Sequence, residues 1–243
     1  MNRFLLIAFI LLSASCRSSR VEYIPPDEYM YNTGGTGPEI EISFLKGEAH
    51  NHPLMAIWVE DEVGNFIQTL YVAESIGKGV FRHGDPSSGK WMPGEIRRPA
   101  ALPYWSHRRG IMASDGLFVP DSSDPVPDAY TGSTPPGSFI IKTRLDDTGL
   151  SRFTLYFEIN QSWDWNEHWT NNKFPGDKEY RSSCQPALVY YAAIDTNNLQ
   201  REYILKVAGR SHHSGQSGEL FSDLSTMTTA LDIVKEIKVV VRK

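Results

Sequence analysis

Four arginines bracket a tryptophan and a histidine in the stretch RRPAALPYWSHRRG. Arg97 and Arg98 precede Trp105 and His107, and Arg108 and Arg109 follow them. Guanidinium forks suit phosphate or carboxylate, and an indole supplies a flat apolar face. The residue types therefore offer an anion or flavin contact. They equally suit a loop whose arginines pair with the chain's acids while Pro-Tyr-Trp caps the core. A second aromatic stretch, INQSWDWNEHWTNNKF, holds Trp163, Trp165 and Trp169. The strand pattern RFTLYFEIN puts Phe153, Leu155, Phe157 and Ile159 on one face. Continued by two-residue periodicity, it adds Gln161, Trp163 and Trp165 to that face, so both tryptophans read as core residues. Trp169 falls outside the alternation, as a loop pin or a stacking surface for a sugar ring or partner.

Other chemistry-bearing groups have weaker spacing. His50 and His52, with His212 and His213, could supply metal ligands, but surface histidines near turns explain them better. Asp115, Asp121, Asp124 and Asp128 are oxygen donors without the spacing of an EF-hand loop. Glu158, Asp164 and Glu167 would be the carboxylates of a glycosidase, with nothing to fix their separation. Neither a catalytic group nor a metal site is assigned, and the chain leans away from an enzyme.

The elements that must position these residues are strands. The chain has 243 residues, 40% hydrophobic and 22% charged, enough for a sizeable core. Its net charge of −5 argues against nucleic-acid binding. EIEISFL alternates cleanly, with Ile40, Ile42 and Phe44 on one face. PLMAIWVEDEVGNFIQTLYVAE reads as a hairpin whose loop uses Gly64 and Asn65 for positive φ. SFIIKTRL, RFTLYFEIN, ALVYYAAI, EYILKVAG and IKVVV follow, and LVYYAAI is apolar on both faces. Together they predict an all-β fold, an immunoglobulin-like β-sandwich over 39–243, with a long irregular loop insertion at about 75–138. Within 224–237, TMTTALDIVKEI fits a helix by the spacing of Met227, Ala230, Leu231, Val234 and Ile237, and its Thr-rich start also fits a strand.

The first residues have the layout of a signal peptide: Arg3, the apolar run Phe4 to Leu12, then small residues up to Cys16. This resembles a bacterial lipoprotein signal, with cleavage after residue 15 and a lipid on Cys16. Ser13 stands where that pattern has leucine. The reading predicts an exported protein, anchored in the bacterial cell envelope on its periplasmic or surface face, with 16–38 as a tether. The only other cysteine, Cys184, then has no intramolecular partner and reads as a buried thiol.

The loop DAYTGSTPPG, Asp128 to Gly137, resembles the motif on which a bacterial flavin transferase esterifies FMN. Asp128, Thr131, Gly132 and Thr134 match, while Ser133 stands where the motif has alanine. The resemblance implies FMN on the Thr134 hydroxyl, with Asp128, Thr131 and Gly132 as recognition residues. A Pro/Gly turn entering SFIIKTRL accounts for the same residues. Together with PLMAIWVEDEVGNFIQTL and RRPAALPYW, the loop resembles the periplasmic proteins of domain-of-unknown-function family 2271, over most of Pro53 to Val241. The family resemblance implies covalent flavin, with a flavin transferase and membrane redox proteins as partners. Two functions follow. One is a lipid-anchored electron carrier with FMN on Thr134. The other is a non-catalytic surface module that binds a glycan or protein through Trp105 or Trp169.

Overall fold

Alternation in Glu39–Lys46 (β2) becomes a strand that buries Ile40, Ile42 and Phe44 and turns its glutamates outward. A computed structural model describes residues 25–243; the expected signal peptide and the expected lipid site at Cys16 lie outside the described residues. The remaining strands are Asp27–Met30 (β1), Leu54–Asp61 (β3), Phe66–Ala73 (β4), Val80–Asp85 (β5), Met92–Glu95 (β6) and Thr131–Gly132 (β7). Then come Phe139–Arg144 (β8), Arg152–Asn160 (β9), Leu188–Asp195 (β10), Tyr203–Ile204 (β11), Lys206–Arg210 (β12) and Val234–Arg242 (β13). Two helices, Glu74–Lys78 (α1) and Pro103–Arg109 (α2), lie between β4 and β7.

Among the described residues the strands form an all-β sandwich of two mixed sheets, with β5 and β6 as a separate antiparallel pair. One runs β1-β8-β2-β13-β11 and the other β12-β10-β9-β3-β4-β7. Only the edge pairs β1/β8 and β4/β7 are parallel. Phe44, Phe139 and Phe157 stack through the middle, linking the two inner faces. In the β3/β4 hairpin Gly64 takes φ +85°. Asn65 does not; it donates from its backbone and side chain to the Asp61 carboxylate at 2.8 Å each.

The insertion is more ordered than its composition predicts. Its apolar residues Ala101, Leu102, Trp105, Val119 and Val126 form a second core on the outer face of the six-stranded sheet, against Ala56, Trp58, Val72 and Val189. β3 is therefore buried on both faces, whereas the LVYYAAI strand β10, apolar on both, exposes Tyr191 and Ala193. Helix α2 carried a signal in the sequence: Pro103 opens it, basic residues close it, and Gly110 follows in the left-handed region at φ +72°.

Three further expectations are corrected. The tether predicted over 16–38 ends earlier, because Asp27–Met30 adds to β8 and Tyr31 packs on Tyr71 with ring centres 5.1 Å apart. Residues 226–237 form no α-helix. Thr229–Asp232 is a 3-10 turn, and Val234 and Ile237 belong to β13, paired with β2. The β9 strand stops at Asn160, because its next polar side chains tie the loop. Asn160 Nδ2 donates to the Gln185 carbonyl at 2.9 Å, and Gln161 Nε2 to the Ala49 carbonyl at 3.0 Å. Trp163 then turns out at φ +64°, leaving it 46% and Trp165 53% exposed instead of in the core.

Candidate functional site

The Asp128–Gly137 loop begins with a 3-10 turn, Asp128–Tyr130, and continues as β7, which adds to the edge of β4. Pairing with Val72 buries Thr131 and brings its methyl against Gly77. The Tyr71 hydroxyl reaches the carbonyls of Gly132 at 3.3 Å and Ser133 at 3.2 Å. A side chain at Gly132 would put its Cβ 1.9 Å from the Tyr31 hydroxyl oxygen, so glycine is required for this approach. Thr131 and Gly132 thus have places in the fold whatever else they do.

Beyond this anchored pair, Ser133 and Thr134 emerge into a cleft of about 680 Å³. Glu74 and Lys78 of α1, Arg82 of β5 and Pro93 of β6 form the other walls. The volume is within the range of small-molecule and cofactor sites. Lys78 pairs with Asp128 at the rim and donates to the Val126 carbonyl at 3.1 Å. Asp128 is exposed, and Arg82 has no ion pair among the described residues. The cleft thus gathers a threonine hydroxyl, the Glu74 carboxylate, the Asp128-paired Lys78 and Arg82 in one lining, with Arg82 the cation without an ion pair among the described residues that could meet a phosphate ester.

The four arginines do not converge. Arg97 binds Asp115 and the Val119 carbonyl. Arg108 forks onto Glu60 at 2.7 and 2.6 Å, and Glu60 also accepts the Trp58 indole N–H at 2.9 Å. Arg109 lies over the Trp105 ring at 5.2 Å. Neither Arg98 nor Arg109 has a polar side-chain partner among the described residues, and Arg98 sits between the Phe81 and Trp163 rings at 4.1 and 4.6 Å.

Trp105 is fully buried and Trp169 is 5% exposed, so neither presents a face to a ligand. Their indole N–H groups donate inward, to Thr69 and Thr226, each at 3.1 Å. This removes the two residues on which the binding-module reading rested. Three of the four candidate histidines are packed, His50 against Phe44 and His213 between Phe174 and His212 at 4.3 Å from each, while His52 is exposed. Among the described residues no cluster of three or more His, Cys, Asp or Glu could hold a metal ion. Asp121 caps its own turn, accepting from Ser123 and Asp124. Cys184 is buried, and burial pushes its thiol up, away from a reactive thiolate.

Sequence reasoning named Glu158 only as a candidate glycosidase carboxylate and missed its burial. Glu158, at the centre of the six-stranded sheet, is completely buried and accepts the backbone N–H groups of Tyr104 and Trp105 at 3.1 and 2.7 Å. Desolvation dominates these two bonds and pushes its pKa up to about 8. An acid inside a strand pattern was the available signal. Its glycosidase partners go elsewhere: Asp164 accepts from Thr229 and Glu167 pairs with His168.

Neither a family model, a curated protein nor a solved structure matches this chain.

Proposed function

We propose that this protein is a cell-envelope lipoprotein that carries FMN covalently on Thr134 and serves extracytoplasmic electron transfer. The observation that carries the reading is the position of Thr134: of the motif's matching residues it alone lines the large cleft, beside Lys78 and Arg82. The lipoprotein-type signal ending at Cys16 and the resemblance to family 2271 support the location. The residues present fit the group. Thr134 would supply the ester oxygen, and Lys78 and Arg82 would neutralise the phosphodiester. Asp128, exposed at the rim, would be read by the transferase. Flavin on this site would supply electron transfer.

The test is intact mass of the full chain made in its native host, with fluorescence of the denatured band. The expected result is a gain of one FMN less water, absent in Thr134→Ala. Ser133→Ala, which restores the motif, should flavinylate at least as completely. No gain under conditions that flavinylate a control protein would overturn the reading.

A further inference from the structure

A surface apart from the cleft has features of a second site. Trp163 and Trp165 are among the most exposed aromatics of the chain, two residues apart in the loop that follows β9. Both are held in place. Trp163 donates its backbone N–H to Ser183 O at 2.6 Å and its indole N–H to Arg181 O at 3.1 Å. Trp165 lies beside the buried Cys184 thiol. With the Trp163 indole N–H satisfied internally, that ring offers solvent mainly its apolar surface. Leaving two such rings in water is costly, since each buries a large area when covered.

Arg98 completes the arrangement. Its guanidinium is the middle layer of a Phe81–Arg98–Trp163 stack. Stacking uses the faces of the guanidinium and leaves its in-plane N–H groups available. Among the described residues no carboxylate or carbonyl accepts them, whereas the neighbouring Arg97 and Arg108 each bind a carboxylate. Burial lowers the Arg98 pKa with no acid nearby to restore it. Arg181, on the adjoining 3-10 turn, is exposed and has no ion pair among the described residues.

We propose that Arg98, Trp163 and Trp165 form a binding site for uronic-acid sugars, with Arg98 taking the carboxylate and the exposed indoles the pyranose C–H faces. A carboxylate can meet the guanidinium edge with two parallel hydrogen bonds. The negative face of an indole attracts the C–H groups of a sugar ring. The proposal does not depend on flavin at Thr134.

The test is calorimetric titration of the full chain with tetragalacturonate, and with neutral galactotetraose as the comparison. Saturable binding of the acidic oligomer is expected, weakened about tenfold or more in Arg98→Gln, as for loss of a charge-assisted bidentate pair. The neutral sugar should bind weaker by a similar factor. Trp165→Ala, at an exposed ring, should weaken binding with no change in melting temperature, which separates loss of the site from loss of the fold. Arg98→Lys should fall between wild type and Arg98→Gln. No saturable binding at millimolar tetragalacturonate, or equal binding by Arg98→Gln and Trp165→Ala, would overturn the proposal. Acetate competing as well as the oligomer would overturn the sugar assignment.

Discussion

The Glu158 carboxylate accepts the Trp105 backbone N–H at 2.7 Å, tying the insertion's second helix to the centre of the six-stranded sheet. The partner oxygen accepts from Tyr104, so a side chain from β9 satisfies two of the three free N–H groups left at a helix start that opens on proline. The helix is only seven residues long and has no side-chain cap of its own at Leu102. Its stability therefore comes from this contact and from burial of Trp105, not from propensity.

Replacing Glu158 by Gln tests that contact and its charge. An amide, like the protonated acid, accepts one N–H bond and opposes the other, so at pH 5 Glu158→Gln should cost no more than about 1 kcal/mol in urea unfolding. The pH dependence follows from a folded pKa near 8, above the unfolded value of 4.5. Between these values the folded state holds a proton that the unfolded state has released. Stability from this group is complete below pH 4.5 and falls as pH rises to about 8. The wild-type advantage over Glu158→Gln should therefore shrink steadily from pH 5 to pH 8, read from urea midpoints. A constant difference would show that Glu158 is ionised throughout.

Gly132 and Tyr31 make a second testable pair, between the motif loop and the segment before β2. Gly132→Ala places a methyl in the space of the Tyr31 hydroxyl, and Tyr31 is stacked on Tyr71. Overpacking of this kind should cost about 1–3 kcal/mol. In a Tyr31→Ala background the same change should cost a few tenths, because the obstacle is gone. Thermal unfolding of the four proteins measures the coupling. Equal costs in both backgrounds would mean that Tyr31 moves aside freely.

The parts of the fold legible in the sequence were those whose side chains alternate. Ile40, Ile42 and Phe44 announced β2, and the run around Gly64 announced the β3/β4 hairpin. The outer layer was not legible, because Leu102, Trp105, Val119 and Val126 are scattered among Pro, Gly and Asp and bury themselves without a period. Trp163 and Trp165 misled for the opposite reason. Their alternation continues past the point where Asn160 and Gln161 direct their hydrogen bonds into the loop. Of the candidate residues, Thr134 was found by its motif and lies in the large cleft. Arg98 was marked among four arginines, but only packing distinguishes a guanidinium between two rings from Arg97 and Arg108, which bind carboxylates, and from Arg109, which lies over one ring. β1 was missed because a four-residue polar edge strand has no pattern to read.

His213 should dominate the acid side of the stability profile among the packed histidines. It is stacked on Phe174 and His212, and burial lowers its pKa from 6.5 to about 4. Asp177 opposes that shift, while His212, Arg210 and Lys173 add to it. Between pH 6.5 and 4 the unfolded chain takes up a proton that the folded protein refuses. Stability from this group is complete above 6.5 and is lost as pH falls towards 4. His213→Phe keeps an aromatic ring against Phe174 and removes the titration. The melting temperature of this variant should vary less than that of wild type between pH 6.5 and 4. Glu158 pulls the other way over part of that range, gaining as pH falls to 4.5, so the double variant with Glu158→Gln isolates the His213 slope. An unchanged acid slope in His213→Phe would place the acid-sensitive group elsewhere, with His212, also lowered by burial, as the next to replace.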